Sequence, residues 1–162
     1  MKTQADPDGV VSDEAVLSIL REAAAGLILP RYRNLAETEV RTKTSATDFV
    51  TIADREAEAF ITPALLALLP GSACIGEESV ADGQTSISHI ETRYIWTVDP
   101  IDGTRNFVAG SEHFCCMVSL IDRLEPMTSW KLVLWMRCAV LSLSKRSTVA
   151  ARVVAAIGMK ME

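Results

Sequence analysis

The chain has 162 residues, 49% apolar and 23% charged, with 21 acids against 16 Lys and Arg for a formal net charge of -5. That length is about one domain and the apolar share is enough for a core, which excludes a disordered chain. The acidic balance excludes a general electrostatic footprint for nucleic acid, and it favours a partner that is small or brings its own cation.

In chain order, "MKTQADPDGVVSDEAV" is acidic and has no uninterrupted apolar stretch, so it does not read as a signal peptide. "SDEAVLSILREAAAGLILP" places Val16, Ile19, Leu20, Ala23 and Leu27 at helical spacing, with Ser12 as N-cap, acids in the first turn and Pro30 at the end. A Thr-rich stretch comes next, with a short strand near Val40. "TDFVTIADREAEAFITPALLALLPG" opens a second helix in which Thr51 and Asp54 form a capping box and Phe60, Ile61, Ala64, Leu65 and Leu68 form the apolar stripe. Pro63 lies inside that stripe and predicts a kink, or a break at Thr62.

"SACIGEES" reads as a short strand ending in paired acids, and "VADGQTSISHIETR" as a loop. "YIWTV" and "FCCMVSLI" read as strands, the second buried on both faces. The expected class is α/β, or α+β in layers. Cys74, Cys115, Cys116 and Cys138 show no CxxC pairing and read as reduced thiols of a cytoplasmic protein. No run reaches membrane-spanning length, because Lys131 and Arg137 interrupt the best candidate.

Residues 10–123 read as one unit and 124–162 as another. The second stretch carries six basic residues against Glu125 and Glu162, net +4, which leaves -9 on the first 123 residues. It also has no glycine from Ser111 to Ile157, although a strand pair there needs turns. The composition suggests a frame-shifted or otherwise substituted tail, which the coding nucleotide sequence would test; the first part would then show an uncovered apolar face.

The chemistry lies in three groups of acids: Asp54 at a helix start, Glu77 with Glu78 at a strand end, and Asp99 with Asp102 in "WTVDPIDGTRNF". Like charges so close repel, and a cation between them removes the conflict. Magnesium takes oxygen ligands at about 2.0–2.1 Å, which carboxylates and a backbone carbonyl supply. Pro100 fixes a turn that can aim the Ile101 carbonyl beside Asp99 and Asp102. Gly103 lets the backbone approach a ligand, and a short helix from Thr104 would turn its N–H groups toward the same point. Such a place suits a phosphate. A Thr104 hydroxyl held by Asp54 could position water beside the ion for in-line attack on phosphorus.

"GEESVADG", "WTVDPIDGTRNF" and, upstream, "DFVTIAD" closely resemble the inositol monophosphatase family of magnesium-dependent, lithium-sensitive phosphomonoesterases, over roughly residues 10 to 123. The resemblance implies that Glu77, Asp99 and the Ile101 carbonyl hold a first metal and that Asp99 and Asp102 share a second. It implies that Glu78 lies at the site, that Gly103 and Thr104 bind phosphate, and that Asp54 with Thr104 orients the nucleophilic water. The implied fold is the helix-and-sheet N-terminal half of the family's sugar phosphatase fold, usually a homodimer. The family's second half carries a Trp-Asp-x-Ala-Ala-Gly motif; here Trp96, Trp130 and Trp135 precede Thr, Lys and Met, so that motif and its metal-binding Asp are absent.

Other readings stand beside this one. Helix capping alone explains Asp54, Arg105 could face either substrate or solvent, and Lys43 either phosphate or solvent. His89 and His113 read as surface or core residues. A sibling specificity (bisphosphate nucleotidase, fructose bisphosphatase, histidinol phosphatase) or a truncated, non-catalytic remnant that still binds a cation are the rivals to hydrolysis of an inositol monophosphate-like ester.

Overall fold

The computed structural model describes residues 10–42, 49–85, 90–124 and 129–138; Lys43, His89 and most of the expected tail lie outside them. Helix α1 spans Asp13–Ala23 and buries Val16, Leu20 and Ala23. Ser12 stands at its N-cap as expected, its carbonyl accepting the N–H groups of Ala15 and Val16, but its hydroxyl makes no cap bond. From Ala24 to Ile28 the backbone widens into a π-turn. The i→i+5 pattern adds a residue to the turn, so Ile28 rather than the expected Leu27 is fully buried.

Strands β1 (Val40–Thr42) and β2 (Phe49–Thr51) form a two-stranded antiparallel sheet that leads into helix α2, Ile52–Leu68. The expected capping box is present. Thr51 N–H donates to Asp54 Oδ2 at 2.7 Å, and Ala53 N–H donates to Thr51 Oγ1 at 3.2 Å. Thr51→Ala is therefore expected to cost about 1 kcal/mol in urea denaturation, with Thr51→Ser close to the parent. The helix runs unbroken through Pro63, so of the two expectations, a kink or a break at Thr62, the break does not occur. The Pro63 ring is exposed, and Ile61 and Leu65, both fully buried, anchor the helix on either side of it. Phe60, expected inside, is 39% exposed. The buried line instead runs through Ala53, Asp54, Ala57, Glu58, Ile61 and Leu65.

Strand β3 (Ala73–Gly76) passes directly into the short helix α3, Glu77–Ala81. Strand β4 (Tyr94–Asp102) runs parallel to β3 and antiparallel to β5 (Cys115–Leu124); α4, Thr104–Val108, lies between β4 and β5 in sequence. Strand β6, Ser129–Cys138, continues the sheet antiparallel to β5, giving the order β3-β4-β5-β6. The sheet thus crosses the boundary expected at residue 123.

One sheet face meets α1 and α2: Trp96 and Val98 of β4 and Cys116, Val118 and Leu120 of β5 pack with Val16, Leu20, Ala57, Ile61 and Leu65. On the other face Ile75, Ile95 and Ile121 pack with Val80 of α3 and with Ile90, and Thr97 Oγ1 and Ser119 Oγ share a hydrogen bond of 2.5 Å. Thr97, Met117 and Ser119 on that face are also buried. The uncovered apolar face expected here is therefore absent from the described part of β3, β4 and β5. Tyr32, Phe107 and Phe114 form an aromatic cluster beneath α4. The Tyr32 hydroxyl and Arg33 Nε both donate to the Gly110 carbonyl, at 2.8 and 2.9 Å, tying the loop after α4 to the segment before β1.

Candidate active site

Asp99 and Asp102 stand three residues apart in one strand, a spacing that ordinarily sends side chains to opposite faces. The expected turn at "DPID" is in fact the bulged end of β4. Asp99 pairs with Met117 and Asp102 with Cys115, so three steps on β4 match two on β5. A bulge inserts one residue and reverses the facing of the side chains beyond it. Because Met117 and Cys115 share a face of β5, Asp99 and Asp102 share the corresponding face of β4. Cys115 Sγ lies 4.0 Å from Asp102 Oδ2, in keeping with that phase. Buried Pro100 sits within the bulge, where its missing N–H leaves no gap in a regular ladder.

Asp99 collects the charge of its surroundings. Burial raises its carboxyl from 3.8 to about 9, and Glu77, beside it in hydrogen-bond reach, together with Asp102 and Asp54, adds to the rise. Asp99 Oδ1 is sealed from solvent without a hydrogen-bond partner. Four carboxylates from the starts of α2 and α3 and the end of β4 therefore act on one another electrostatically.

Asp54 is wholly buried. Its Oδ2 accepts from the Thr51 N–H and hydroxyl, at 2.7 and 2.5 Å, and its Oδ1 faces Thr104 Oγ1 at 3.2 Å. The capping role and the role toward Thr104 thus coexist on different oxygens. Burial pushes the Asp54 carboxyl up, the bonds from Thr51 and Thr104 oppose that, and Glu77 adds to it. The Thr104 hydroxyl also reaches the Ile101 carbonyl at 2.9 Å, leaving that oxygen a second lone pair.

Gly103 has φ +87° at the start of α4. A Cβ there would stand 2.9 Å from the His113 carbonyl oxygen, so the glycine is required by handedness and by its own loop; the expected close approach of a ligand is not its first reason. Asn106 Nδ2 donates to that same carbonyl at 2.7 Å.

The donor set is all oxygen, which suits a hard cation such as magnesium, and the sealed Asp99 Oδ1 fits an ion in that position. Among the described residues, no three His, Cys, Asp or Glu side chains are already arranged around a common point. The carboxylates are neighbours, with Glu77 in hydrogen-bond reach of Asp99.

The sequence model of the inositol monophosphatase family matches residues 12–130. The chain belongs to the inositol monophosphatase family. Inositol-1-monophosphatase of Bacillus subtilis is 31% identical over 113 residues, 70% of this chain and 40% of that protein. Mouse inositol monophosphatase 1 is 38% identical over 104 residues, 64% of this chain and 35% of that one. Among solved structures, extragenic suppressor protein suhB from Bartonella henselae superposes with a TM-score of 0.57 at 25% identity, covering 78% of this chain and 44% of that chain. The chain thus spans about a third to two-fifths of the length of the curated relatives it matches.

The family is a phosphatase family, and its motifs fall where the carboxylates gather. Asp54, Glu77, Asp99, Ile101, Asp102, Gly103 and Thr104 converge on one end of the sheet. Glu78 comes after Glu77 in α3 but is itself buried, lining a cleft of about 370 Å³ between α2 and α3 with Arg55, Glu58, Cys74 and Asp82. Arg105 and His113 are exposed, and the His113 ring contacts Ser111 Oγ at 3.0 Å. Cys74, Cys115 and Cys116 are free thiols. Burial raises Cys74 to about 11, so packing describes it better than reactivity. No helix among the described residues is long and apolar enough to cross a membrane.

Sequence reasoning missed Glu58. A signal existed: positions 54, 58, 61 and 65 recur at 4-3-4 spacing, which places Glu58 on the buried line of α2 beside Asp54.

Proposed function

We propose that this member of the inositol monophosphatase family hydrolyses a small phosphate monoester, inositol monophosphate-like, with magnesium held by Glu77, Asp99, Asp102 and the Ile101 carbonyl. The observation that carries this reading is the convergence of Asp54, Glu77 and Asp102 on buried Asp99, whose carboxyl is raised to about 9 by burial first and by these neighbours second. Bound there, magnesium supplies positive charge that offsets the carboxylate repulsion and polarises phosphoryl oxygen.

The chain's own residues do the rest. Thr104 Oγ1 has one proton and two acceptors within reach, Asp54 Oδ1 and the Ile101 carbonyl. Water bonded to that hydroxyl can pass a proton through it to Asp54 Oδ1. A raised carboxyl at Asp54 is the right direction for a base working near neutral pH. Gly103 and Thr104, at the start of α4, and Arg105 beside them are the groups proposed to meet the phosphate. Lithium sensitivity, a cytoplasmic setting and a homodimer go with this reading.

The test is phosphate release from inositol 1-phosphate by the purified chain at increasing magnesium, with Asp102→Asn as control. Release that needs magnesium and disappears in the control supports the proposal. A folded chain that binds magnesium without turnover favours the second reading, a non-catalytic relative that retains a cation site. That second reading is favoured by the carboxylates themselves, no three of which among the described residues already surround a common point. Turnover of a bisphosphate nucleotide, fructose bisphosphate or histidinol phosphate in place of the inositol ester would move the assignment to a sibling specificity.

A further inference from the structure

Glu58 is a buried acid that the chemistry above leaves unused. It stands one turn after Asp54 on the inner side of α2, so their side chains leave the helix in similar directions. It reaches across twenty residues of sequence to the first turn of α3. Glu58 Oε2 accepts the Glu78 N–H at 2.7 Å, and Oε1 accepts the Ser79 N–H at 2.9 Å.

Gly76 makes the room for this contact. A Cβ at Gly76 would lie 2.2 Å from Glu58 Cδ and Oε1 and 2.6 Å from Oε2. Its φ of -96° suits any residue, so space alone demands the glycine. One turn earlier on α2, Arg55 pairs with Asp82 at the end of α3, Nη2 to Oδ1 and Nη1 to Oδ2, each at 2.9 Å. Helix α2 therefore holds α3 at both ends.

We propose that Glu58 is a positioning residue for the cation site, setting where the Glu77 carboxylate stands relative to Asp99. The inference rests on the reading of Glu77 and Asp99 as cation ligands. A helix of five residues cannot hold its own geometry. Glu77 lies between Gly76, which packs on Glu58, and Glu78, whose N–H is bonded to Glu58, so its backbone is gripped on both sides. A carboxylate suits the task because it has two oxygens for two N–H donors. Glutamine has one acceptor oxygen, and its amide nitrogen would confront the second N–H.

Manganese binding by the purified chain, followed by electron paramagnetic resonance with magnesium as competitor, tests this together with amide exchange of Glu78 and Ser79 by NMR. Glu58→Gln is expected to weaken manganese about 10- to 100-fold, the usual consequence of removing a residue that orients a ligand, and to speed exchange at both amides. Gly76→Ala should shift affinity in the same direction by displacing an intact Glu58. If Gly76→Ala fails to fold, the milder Glu58→Gln decides the matter. Faster exchange with unchanged manganese affinity would make Glu58 a purely structural cap and overturn the proposal. A parent chain that is folded and binds no manganese would overturn the cation-site reading itself, a failure visible before any variant is made.

Discussion

Asp99→Asn should abolish magnesium-dependent phosphate release and, in the absence of metal, make the chain more stable. An ion's stabilisation of the reacting phosphoryl group is worth several kcal/mol, and about 1.4 kcal/mol corresponds to one decade in rate, so a loss of about three decades is expected. The stability effect has the opposite sign for an electrostatic reason. Asp99 is held at about 9 in the fold against 3.8 ordinarily. Between those values folding takes up a proton, so stability is greatest below that window and falls as pH rises through it. Every tenfold difference in proton affinity between the folded and unfolded chain is worth about 1.4 kcal/mol, although repulsion relieved by small movements will reduce the sum. The parent should therefore show a lower Tm at pH 8 than at pH 6 without metal, and magnesium should recover much of the difference. The Asn variant should have a flatter pH profile and no magnesium shift. Equal profiles for the two chains would mean that the carboxylates do not meet as the structure places them.

Phe107→Ala should be the most damaging single core change near the site. Phe107 is fully buried, with ring centroids 5.9 Å from Tyr32 and 5.0 Å from Phe114. Truncating such a side chain costs about 3–5 kcal/mol, against a total of about 5–15 kcal/mol for a typical domain. It is also the buried residue of α4, the helix whose first residue is Thr104. The urea midpoint should fall sharply, and amide exchange over residues 104–110 should rise more than the global loss explains. A variant that melts like the parent would show that the aromatic cluster does not hold α4 in place.

Much of the local structure is legible in the residues themselves. The capping box at Thr51 and Asp54 involves neighbours three apart, so its signal is local, and it is present. Strands at 73–76, 94–98 and 115–122 are signalled by short apolar runs. Ser12, Leu27 and Phe60 show where local reading stops. Ser12 is at the expected N-cap but its hydroxyl makes no cap bond, Leu27 is only partly buried while Ile28 is fully so after an inserted π-turn, and Phe60 turned outward because tertiary packing chose Ala57 and Ile61. Glu58 was passed over because a glutamate on an apolar line looks like solvent-facing surface until its partners, two backbone N–H groups twenty residues away, are known.

The sequence by itself determined the inventory of the candidate site. It shows that "GEES" and "DPIDGT" bring carboxylates, a proline, a glycine and a threonine to element ends, and it shows the family to which that inventory belongs. Only the tertiary structure decided how these groups face one another. Pairing with β5 placed a bulge at Pro100–Ile101 and turned Asp99 and Asp102 to one side, whereas a regular strand would have separated them. Parallel pairing of β3 with β4, Gly76 opposite Val98, brought Glu77 beside Asp99, and the fold sealed Asp99 Oδ1 from water. The reason is one of range. Caps and turns depend on residues a few positions apart, whereas the phase of a strand and the charge on a carboxyl depend on register and solvent exclusion, which distant parts of the chain impose.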